Sequence, residues 1–335
     1  MGQPTLYEVA DRAGVSLATA SRVLNGSTRT VGEALRLRVM AAAQELHYSA
    51  NGPAQAMARG HNNTVGLIVS DIADPYFTQI AAGVIEAAEK AGLVVTMGTT
   101  GGEPDRELDH LGGFRSQRAN GVVIVGSRRH GDRIEPLADH LASYGQHGGR
   151  VVLVSQPVGE IPCVEVDNRK LAAELARALV DQGHREFAVL AGPTDLVTSR
   201  DRLTGFRNGL RSRQQAVPAE NVVHGAFTRA GGHASMTALL GRNRSPGCVF
   251  AVNDVMALGA MAAIEEAGLQ VGRDVPIAGF DDIPTLADVR PTLSTVRVPL
   301  REAGHEAVRL LTEPGGGHVV LSGEVVLRDS TARTD

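Results

Sequence analysis

The stretch TLYEVADRAGVSLATASRVLNG, residues 5–26, has the pattern of a helix-turn-helix. Apolar residues recur at helical spacing up to Ala13, and Gly14 then ends the run with a residue that tolerates the positive φ of a tight turn. Ser16 can cap a second helix, residues 17–24, whose inward apolar side chains lock it onto the first. The pattern alone fits a head that reads DNA, and it also fits a small three-helix bundle that binds no DNA.

A third helix is predicted after this stretch, from about Glu33 to Leu46. Its buried side chains are expected to be Leu37, Met40 and Ala41, with Val39 as a further candidate. Residues 49–63 are polar and contain glycine, which is typical of a linker. We therefore expect a helical head at residues 1–48, joined through 49–63 to the rest of the chain.

From Thr64 onward, short β-branched runs alternate with amphipathic segments, which predicts an α/β fold. The expected strands are 65–69, 93–97, 121–125, 150–154, 163–167, 187–191, 222–226, 248–252 and 275–279. Continuous apolar strands separated by helices indicate parallel sheets that are covered on both faces. The strands form two groups, so we expect two doubly wound lobes with a ligand cleft at the carboxyl ends of their strands. The first lobe should comprise about 64–162 and 293–320, and the second about 163–292 and 321–335.

Composition excludes several classes of protein. The 335 residues include only two cysteines, Cys163 and Cys248, which excludes a disulfide scaffold and a CxxC metal site and fits a reducing cytosol. Apolar runs fall short of the roughly 20 residues that a membrane span needs. The first residues lack the basic and apolar segments of a signal peptide. We expect a cytoplasmic protein with no membrane partner.

Charge divides unevenly along the chain. The formal net charge of −4 argues by itself against a nucleic-acid partner. Residues 1–60, however, hold six arginines and four acidic residues, a net charge of +2. The remainder holds 27 basic and 33 acidic residues, a net charge of −6. Charge therefore permits a DNA-binding head on an acidic body without proving one.

Catalytic signatures are missing from the sequence. It contains no GxxxxGK[ST] or GxSxG, no HExxH, and no GxGxxG after a strand. Its eleven histidines are scattered without metal-ligand spacing, and no nucleophile stands with a matching base. We expect neither enzymatic activity nor a cofactor or metal.

The residues quoted above closely resemble the head of the LacI/GalR-type bacterial transcription regulators. The resemblance continues in order over nearly the whole chain, through RLRVMAAAQELHYSANGPAQAMARG, VGLIVSDIADPYF, VDNRKLAAELARALVDQGHREFAVLAGP, SRDRLTGFRNGL, VNDVMALGAM, IAGFDDIP, RPTLSTVR and VLRDSTAR. So many ordered landmarks favour the DNA-reading head over a bundle without DNA. The resemblance implies a periplasmic-binding-protein-like body and an allosteric repressor.

The resemblance also implies which residues contact DNA. Leu17, Ala18 and Arg22 would face the major groove, and Arg22 alone of these can hydrogen-bond to a guanine edge. The phosphate contacts would come from Ser16, Thr19, Ser21 and Asn25, and Thr5 and Leu6 complete the expected set. In the family, the linker becomes a hinge helix on DNA and wedges an apolar residue into the minor groove, a place that Met57 takes here.

Two heads are needed to read the two half-sites of a pseudo-palindromic operator, so we expect a homodimer. The chain ends at ARTD, soon after VVLRDS, with no leucine heptads of a C-terminal coil. The sequence therefore favours a dimer over a tetramer tied together by such a coil.

The ends of the predicted strands carry candidate effector-binding residues. The resemblance places as contacts Tyr76, Phe77, Thr198, Arg202, Phe227, Asn253 and Asp281. We add Asp74, which stands where the family commonly has Asn, and Ser155 at a strand end. Acidic, amide and guanidinium groups suit vicinal hydroxyls, and Phe227 offers a flat apolar face, so a sugar or glycoside is expected.

Several alternatives stay open at this level. Asp281 could cap a turn, Arg202 could be a buried ion-pair partner, and Phe77 could belong to the core. A corepressed regulator or an activator with a non-sugar effector is the main functional alternative. A solute-binding protein would suit the cleft, but the helix-turn-helix argues against it.

Overall fold

The computed structural model describes residues 4–25, 31–48, 61–129, 138, 140–141, 143–145, 149–313 and 315–332. The chain divides into two compact units, Met1–Asn63 and Thr64–Asp335. Most of the predicted linker, residues 49–60 with Met57 among them, lies outside the described residues. Among those that are described, no helix has the length and apolar character needed to cross a lipid bilayer.

The head consists of three helices, α1 (Leu6–Ala13), α2 (Leu17–Asn25) and α3 (Glu33–Glu45). α1 begins with a capping box, in which the Thr5 hydroxyl accepts from the Glu8 N–H and the Glu8 carboxylate accepts from the Thr5 N–H. Gly14 ends α1 with φ 61° and ψ 43°, the left-handed conformation that the turn was predicted to need. The helices enclose a small core around Val9, Ala20 and Val39.

The predicted buried face of α3 is wrong at three positions. Leu37 is 59% exposed, Met40 is 49% exposed, and Ala41 also faces solvent. Val39, the further candidate, is buried as expected, and the other buried residues of α3 are Ala42 and Ala43. α3 is apolar over much of its circumference, so the spacing offered two competing faces, and only packing against α1 and α2 selected one of them.

Elements of the second unit alternate as predicted, with additional short strands near its end. In chain order the helices are α4 (Pro75–Lys90), α5 (Pro104–Ser116), α6 (Asn168–Asp181), α7 (Val197–Ser212), α8 (Arg229–Arg242), α9 (Asp254–Glu266) and α10 (Leu300–Thr312). The strands are β1 (Thr64–Val69), β2 (Val94–Thr99), β3 (Gly121–Val125), β4 (Arg150–Val154), β5 (Cys163–Val166), β6 (Phe187–Ala191), β7 (Val222–His224), β8 (Cys248–Ala251), β9 (Ile277–Ala278), β10 (Thr295–Arg297), β11 (His318–Leu321) and β12 (Glu324–Val326).

Two parallel sheets form two lobes, which confirms the predicted doubly wound architecture. The first lobe has six strands in the order β11-β5-β4-β3-β1-β2, and the second has four in the order β7-β6-β8-β9. α4 and α10 pack together on the first lobe, and α6 packs on α7 and α8 on α9 in the second. The first-lobe strands β1 and β3 are almost wholly buried, as continuous apolar runs predict.

The expected boundary between the lobes at residue 162 is wrong. β5 lies in the first-lobe sheet between β4 and β11, with Leu153 and His318 opposite Cys163. An apolar run shows that a strand is buried, but it does not show which strands pair with it. One partner of β5 is β11, which lies more than 150 positions later in the chain. The first lobe therefore includes Cys163–Val166, and the chain enters the second lobe only at α6.

The chain crosses between the lobes three times, before α6, between β10 and α10, and between β11 and β12. β10 continues beside β9 through bridges from Ala278 to Ser294 and from Asp281 to Arg297. It also pairs with β12 in a two-stranded antiparallel ribbon. Two of the three connecting segments, the one after β10 and the one before β12, are therefore attached to the second lobe through this ribbon.

Candidate DNA-binding head and ligand cleft

α2 presents its capped start and a mixed polar surface. Ser16 Oγ accepts from the Thr19 N–H at 3.1 Å and lies 2.9 Å from Thr19 Oγ1, so it caps the helix as predicted. Ala18 and Arg22 are exposed, whereas Leu17 packs partly on the head's core. The remaining expected DNA contacts are half-buried Leu6, Thr19 and Ser21, exposed Thr5 and Ser16, and Asn25, whose side chain is not described.

Contacts from α3 hold the turn before α2. The Arg38 guanidinium donates to the carbonyl oxygens of Ala13 and Gly14, at 3.4 Å for Gly14. On the same side of the head, Arg12 pairs with Glu45 and ties α1 to α3. The turn is therefore supported by side chains that are distant in sequence, and α2 has a fixed orientation within the head.

A cavity of about 1050 Å³ opens at the carboxyl ends of the strands, between the two lobes. Eight of the nine predicted effector residues line it: Asp74, Tyr76, Phe77, Thr198, Arg202, Phe227, Asn253 and Asp281. The rule that ligands bind at the carboxyl ends of parallel strands therefore predicted where the cleft lies. The predicted residues in it come from five strand ends.

Arg202 organises the wall of the second lobe. Its guanidinium donates to Asn168 Oδ1 at 2.8 Å, to the Val252 carbonyl at 2.7 Å and to Asp281 Oδ1 at 2.8 Å. The guanidinium carbon also lies 3.9 Å from the centre of the Phe280 ring. Arg202 is only 3% exposed, so it is a buried ion-pair partner that also forms part of the cavity wall.

Asp281 sits in a tight turn whose backbone is unusual for an aspartate. Its φ is 125° and that of Asp282 is 57°, values that residues with a side chain seldom adopt. The Asp281 N–H donates to the Val296 carbonyl at 2.9 Å, which anchors the turn to β10. Burial raises the pKa of Asp281, while Arg202 opposes the shift.

Asn253 and Asp254 begin α9 at the base of the cleft. Asn253 Oδ1 accepts from the Met256 N–H at 3.0 Å and caps the helix. Asp254 is fully buried behind it and accepts from the Thr295 hydroxyl at 2.7 Å and from the Ile283 N–H at 3.0 Å. Asn253 therefore faces the cavity, and Asp254 holds the surrounding loops together.

The first-lobe wall begins at the N-terminus of α4. Asp74 Oδ1 accepts from the Tyr76 N–H at 2.9 Å and caps the helix, whose first residue is Pro75. The Tyr76 and Phe77 rings meet edge to face, with centroids 5.1 Å apart. Phe77 is packed partly against the core and also lines the cavity, and its contact with an effector stays a prediction.

The Phe227 ring packs against the backbone of Gly192, directly after β6. A Cβ added to Gly192 would fall 1.8 Å from Cε1 of the Phe227 ring, so only glycine allows this approach. The ring is half-buried and belongs to the cavity wall. Phe227 thus offers the cavity an apolar surface whose position is set by backbone contact.

Ser155, the ninth predicted effector residue, is not among the residues that line the cavity, and its contact with an effector stays a prediction. Its hydroxyl donates to the Gly126 carbonyl at 2.5 Å and accepts from Arg128 Nε at 3.2 Å. Arg128 itself lines the cavity and makes a bidentate pair with Glu107, at 2.7 and 3.1 Å. Arg128 was not among the predicted effector residues, because its partners Glu107 and Ser155 are more than 20 residues away on either side and the sequence does not show that they meet.

The two lobes touch directly beside the cavity. α7 has no side-chain cap, and its first N–H groups bond to the other lobe, from Val197 to the Arg128 carbonyl at 2.9 Å and from Thr198 to Ser127 Oγ at 3.0 Å. Gln156 donates to Thr198 Oγ1 at 3.0 Å, and Arg129 pairs with Asp195. The structure therefore shows the lobes closed on this side of the cleft.

Known proteins account for both units. Residues 5–51 match the family model of the lacI family of bacterial regulatory proteins, and residues 176–331 match the periplasmic binding protein-like domain. The transcriptional regulator CelR of Thermobifida fusca is 32% identical over 340 residues, covering 98% of each chain. The chain belongs to the LacI family. It is accordingly a DNA-binding transcriptional regulator and not an enzyme.

Other relatives of this LacI-family regulator span the same length. The transcriptional repressor CytR of Escherichia coli K12 is 32% identical over 335 residues, covering 98% of this chain and 96% of CytR. A lac repressor dimer bound to operator and the anti-inducer ONPF superposes with a TM-score of 0.85 at 27% identity, covering 99% of this chain and all of that one. A CelR–cellobiose complex superposes with a TM-score of 0.72 at 30% identity, covering 98% and 99%.

Metal chemistry finds no support in the described part of this LacI-family chain. Over those residues, no group of three or more His, Cys, Asp or Glu side chains could hold a metal ion. Cys163 and Cys248 are both buried and free, and burial raises the pKa of each thiol.

Proposed function

We propose that this LacI-family regulator is a repressor that acts in the cytoplasm and binds a pseudo-palindromic operator as a homodimer. Its operator affinity would change when a sugar or glycoside occupies the cleft. The observation that carries the proposal is that a single chain combines a capped recognition helix exposing Arg22 with a separate cleft of about 1050 Å³ rich in hydrogen-bonding groups. The operator-bound lac repressor dimer and the CelR–cellobiose complex support the two partners.

On the DNA side, we propose that α2 enters the major groove. Exposed Arg22 would donate to a guanine edge, and Leu17 and Ala18 would make apolar contacts such as those with thymine methyl groups. The phosphate contacts proposed are those of Ser16, Thr19, Ser21 and Asn25, and Thr5 and Leu6 are further proposed DNA contacts. Met57 stays a prediction as the minor-groove wedge, since it lies outside the described residues.

On the ligand side, we propose that a sugar ring lies on Phe227 while its hydroxyls meet the polar residues of both walls. The contacts proposed are Asp74, Tyr76, Phe77, Thr198, Arg202, Phe227, Asn253 and Asp281. Carboxylate and amide oxygens accept hydrogen bonds and guanidinium groups donate them, which together suit vicinal hydroxyls. Burial raises the pKa of the Tyr76 hydroxyl, which keeps it a neutral donor.

Coupling between the two partners would follow from the angle between the lobes. A ligand that contacts both walls binds better when the lobes are closed, and it shifts the population of closed molecules by the difference in affinity. Such coupling typically amounts to about 1–3 kcal/mol, or roughly 5–150-fold in operator affinity. The same device serves induction and corepression, because the sign depends on which lobe angle suits the operator.

Footprinting of the full-length protein on DNA flanking its own gene tests the proposal. We expect protection of a palindromic site, and we expect the protection to change when a sugar that binds in the cleft is added. Replacing Arg22 with Ala should weaken specific binding by about 1–3 kcal/mol, or roughly 5–150-fold, and relax the base preference at one position of each half-site.

The matched control is Arg36→Ala, which removes an exposed arginine of α3 that pairs with Glu33 outside the recognition helix. It should leave the base preference unchanged. Equal operator affinity for wild type and Arg22→Ala would reject Arg22 as a reader. Absence of any protected palindrome at low salt, with and without ligands, would reject the repressor.

A further inference from the structure

The wall of the cleft carries an excess of negative charge. Its acidic residues are Asp71, Asp74, Glu103, Asp105, Glu107 and Asp281, and its basic residues are Arg106, Arg128, Arg129 and Arg202. Six carboxylates against four guanidinium groups leave the described lining with a formal charge of −2. A ligand entering the cleft therefore meets a negative field.

The arginines that reach into the cleft are already bound to carboxylates of the protein. Arg128 pairs with Glu107, Arg129 with Asp195 and Arg202 with Asp281. Arg202 in addition uses its other N–H groups on Asn168 and on the Val252 carbonyl. An anionic ligand would compete with these carboxylates for the guanidinium groups. At the buried pairs of Arg128 and Arg202 it would leave a carboxylate without its partner, which is strongly unfavourable.

Arg106, the fourth arginine, does not offset the excess. It lies exposed in the first turn of α5, within the segment EPDRE at residues 103–107. That segment holds three acidic residues and one basic residue, so it is itself negative. The excess of two negative charges in the lining therefore lies in this rim segment, because the three other carboxylates and the three other arginines of the lining balance.

Two carboxylates from opposite lobes line the same cavity. Asp74 belongs to the first lobe and Asp281 to the second, and each raises the pKa of Tyr76, which is close to both. Burial raises the pKa of Asp74, and the neighbouring Asp71 adds to the shift. Asp281 has Arg202 as a partner, whereas Asp74 forms no ion pair with any described residue.

Asp74 has hydrogen-bonding capacity left for a ligand. Its Oδ1 caps α4 by accepting from the Tyr76 N–H, and its Oδ2 has no donor among the described residues. An ionised carboxylate only accepts hydrogen bonds, so it requires a ligand that brings O–H or N–H groups. A hydroxyl-rich ligand supplies such donors, and a phosphate or carboxylate at the same place brings a second negative charge.

We infer that the cleft selects an uncharged, hydroxyl-rich ligand over its phosphorylated or carboxylated forms, and that Asp74 is the residue that makes this selection. The inference rests on the proposed sugar-binding function and adds the charge of the ligand to it. Selection of this kind works by repulsion. A negative charge on the ligand near Asp74 lowers its affinity for the cleft by more than its other contacts raise it.

Thermal unfolding of the full-length protein with paired ligands tests the inference. The pairs are glucose and glucose 6-phosphate, galactose and galacturonate, ribose and ribose 5-phosphate, and cellobiose and cellobionate. A bound ligand raises Tm by mass action, so we expect a rise with at least one neutral member and none with its anionic partner. An anionic member that raises Tm as much as its neutral partner would overturn the inference.

Variants then test Asp74 itself by calorimetric titration with the best neutral sugar and its anionic partner. Asp74→Asn keeps an N-cap residue, so α4 should fold as in the wild type. We expect the ratio of neutral to anionic affinity to fall by about tenfold or more, the effect of about 1.4 kcal/mol. The control Glu89→Gln removes a charge from the exposed outer face of the same helix and should leave the ratio unchanged.

The outcomes separate this inference from the proposed function. A ratio for Asp74→Asn within twofold of the wild type would overturn the role of Asp74. If no neutral sugar raises Tm while the operator is still protected in footprinting, the hydroxyl-rich ligand is wrong and DNA binding stands. If sugars bind as expected and no operator is protected, the charge selection stands and the repressor is wrong.

Discussion

Asp254 is a buried carboxylate that holds loops together rather than facing the cavity. Its two oxygens accept from the Thr295 hydroxyl and the Ile283 N–H, and so connect the start of α9 to β10 and to the turn after Asp281. Burial raises its pKa from 3.8 to about 6, although these hydrogen bonds oppose the shift. Asp254 thus supports the wall of the cavity, and its burial makes the ionised carboxylate less stable than it is in water.

The raised pKa makes stability depend on pH in a defined direction. The folded protein retains a proton on Asp254 up to about pH 6, whereas the unfolded chain releases it near the ordinary aspartate pKa of 3.8. The folded state therefore binds more protons in this window, and the free energy of unfolding contributed by Asp254 falls as pH rises through it. Above about pH 6 the contribution is constant and unfavourable.

We predict that Asp254→Asn removes this dependence. An asparagine can accept from the Ile283 N–H and donate to Thr295 Oγ1 without a buried charge. Its Tm should exceed that of the wild type at pH 7.5 by about 2–4 °C, the effect of about 1 kcal/mol in a domain of this size, and the gap should close toward pH 5. Exposed Asp109→Asn in α5 is the control and should show no pH-dependent gap. A lower Tm for Asp254→Asn at both pH values would contradict the prediction.

Pairs of helices come into backbone contact in the second unit, and glycines permit this. A Cβ on Gly83 of α4 would fall 2.1 Å from the Arg301 carbonyl oxygen, and one on Gly304 of α10 would fall 2.3 Å from that of Ile80. These distances are far below van der Waals contact, so α4 and α10 can approach this closely only without side chains there. A change at either position acts on the packing of two elements, beyond its own helix.

We predict opposite effects for two glycine-to-alanine changes in these helices. Gly304→Ala should lower the free energy of unfolding by about 1–3 kcal/mol, because the methyl group must push α4 and α10 apart. Gly112→Ala in α5 is the control, since a Cβ there meets nothing within 4 Å. It should raise stability by about 0.5–1 kcal/mol through helix propensity. Urea unfolding checks both, and equal effects would show that the contact between α4 and α10 does not limit packing.

Closure of the whole second unit depends on a few contacts beside the cleft. α7 lacks a cap of its own and uses acceptors of the first lobe for its Val197 and Thr198 N–H groups. Those two amides are protected only while the lobes meet. They report directly on how often the unit opens.

We predict that Arg129→Ala increases opening, because it removes the ion pair to Asp195 across the lobes. A partly exposed pair contributes about 0.2–1 kcal/mol, so hydrogen exchange at Val197 and Thr198 should rise roughly 1.4–5-fold. The control Arg213→Ala removes a pair with Asp181 that lies within the second lobe. It should leave exchange at these amides unchanged, and an equal rise in both variants would mean that the pair does not hold the lobes.

Local rules read from the sequence identified much of the molecule, and they failed where two distant segments meet. Gly14, the cap by Ser16 and the nine central strands follow from residue type and spacing, which act over a few positions. The buried face of α3 and the placement of β5 in the first lobe depend on neighbours that spacing does not specify. Eight of the nine predicted effector residues line the cavity because strand ends in parallel sheets converge on one edge.

The sequence by itself determined the helix-turn-helix head, the two-lobed α/β body and the family, because caps, turns and apolar periods are local and the motifs occur in order. Only the tertiary structure decided how charge is distributed in the cleft. It paired Arg128 with Glu107, it bonded Ser155 to Arg128, and it placed Asp74 and Asp281 from opposite lobes in the wall of one cavity. These residues are separated by 21 to 207 positions. Electrostatic and hydrogen-bond partners depend on distance in space, and folding alone sets that distance.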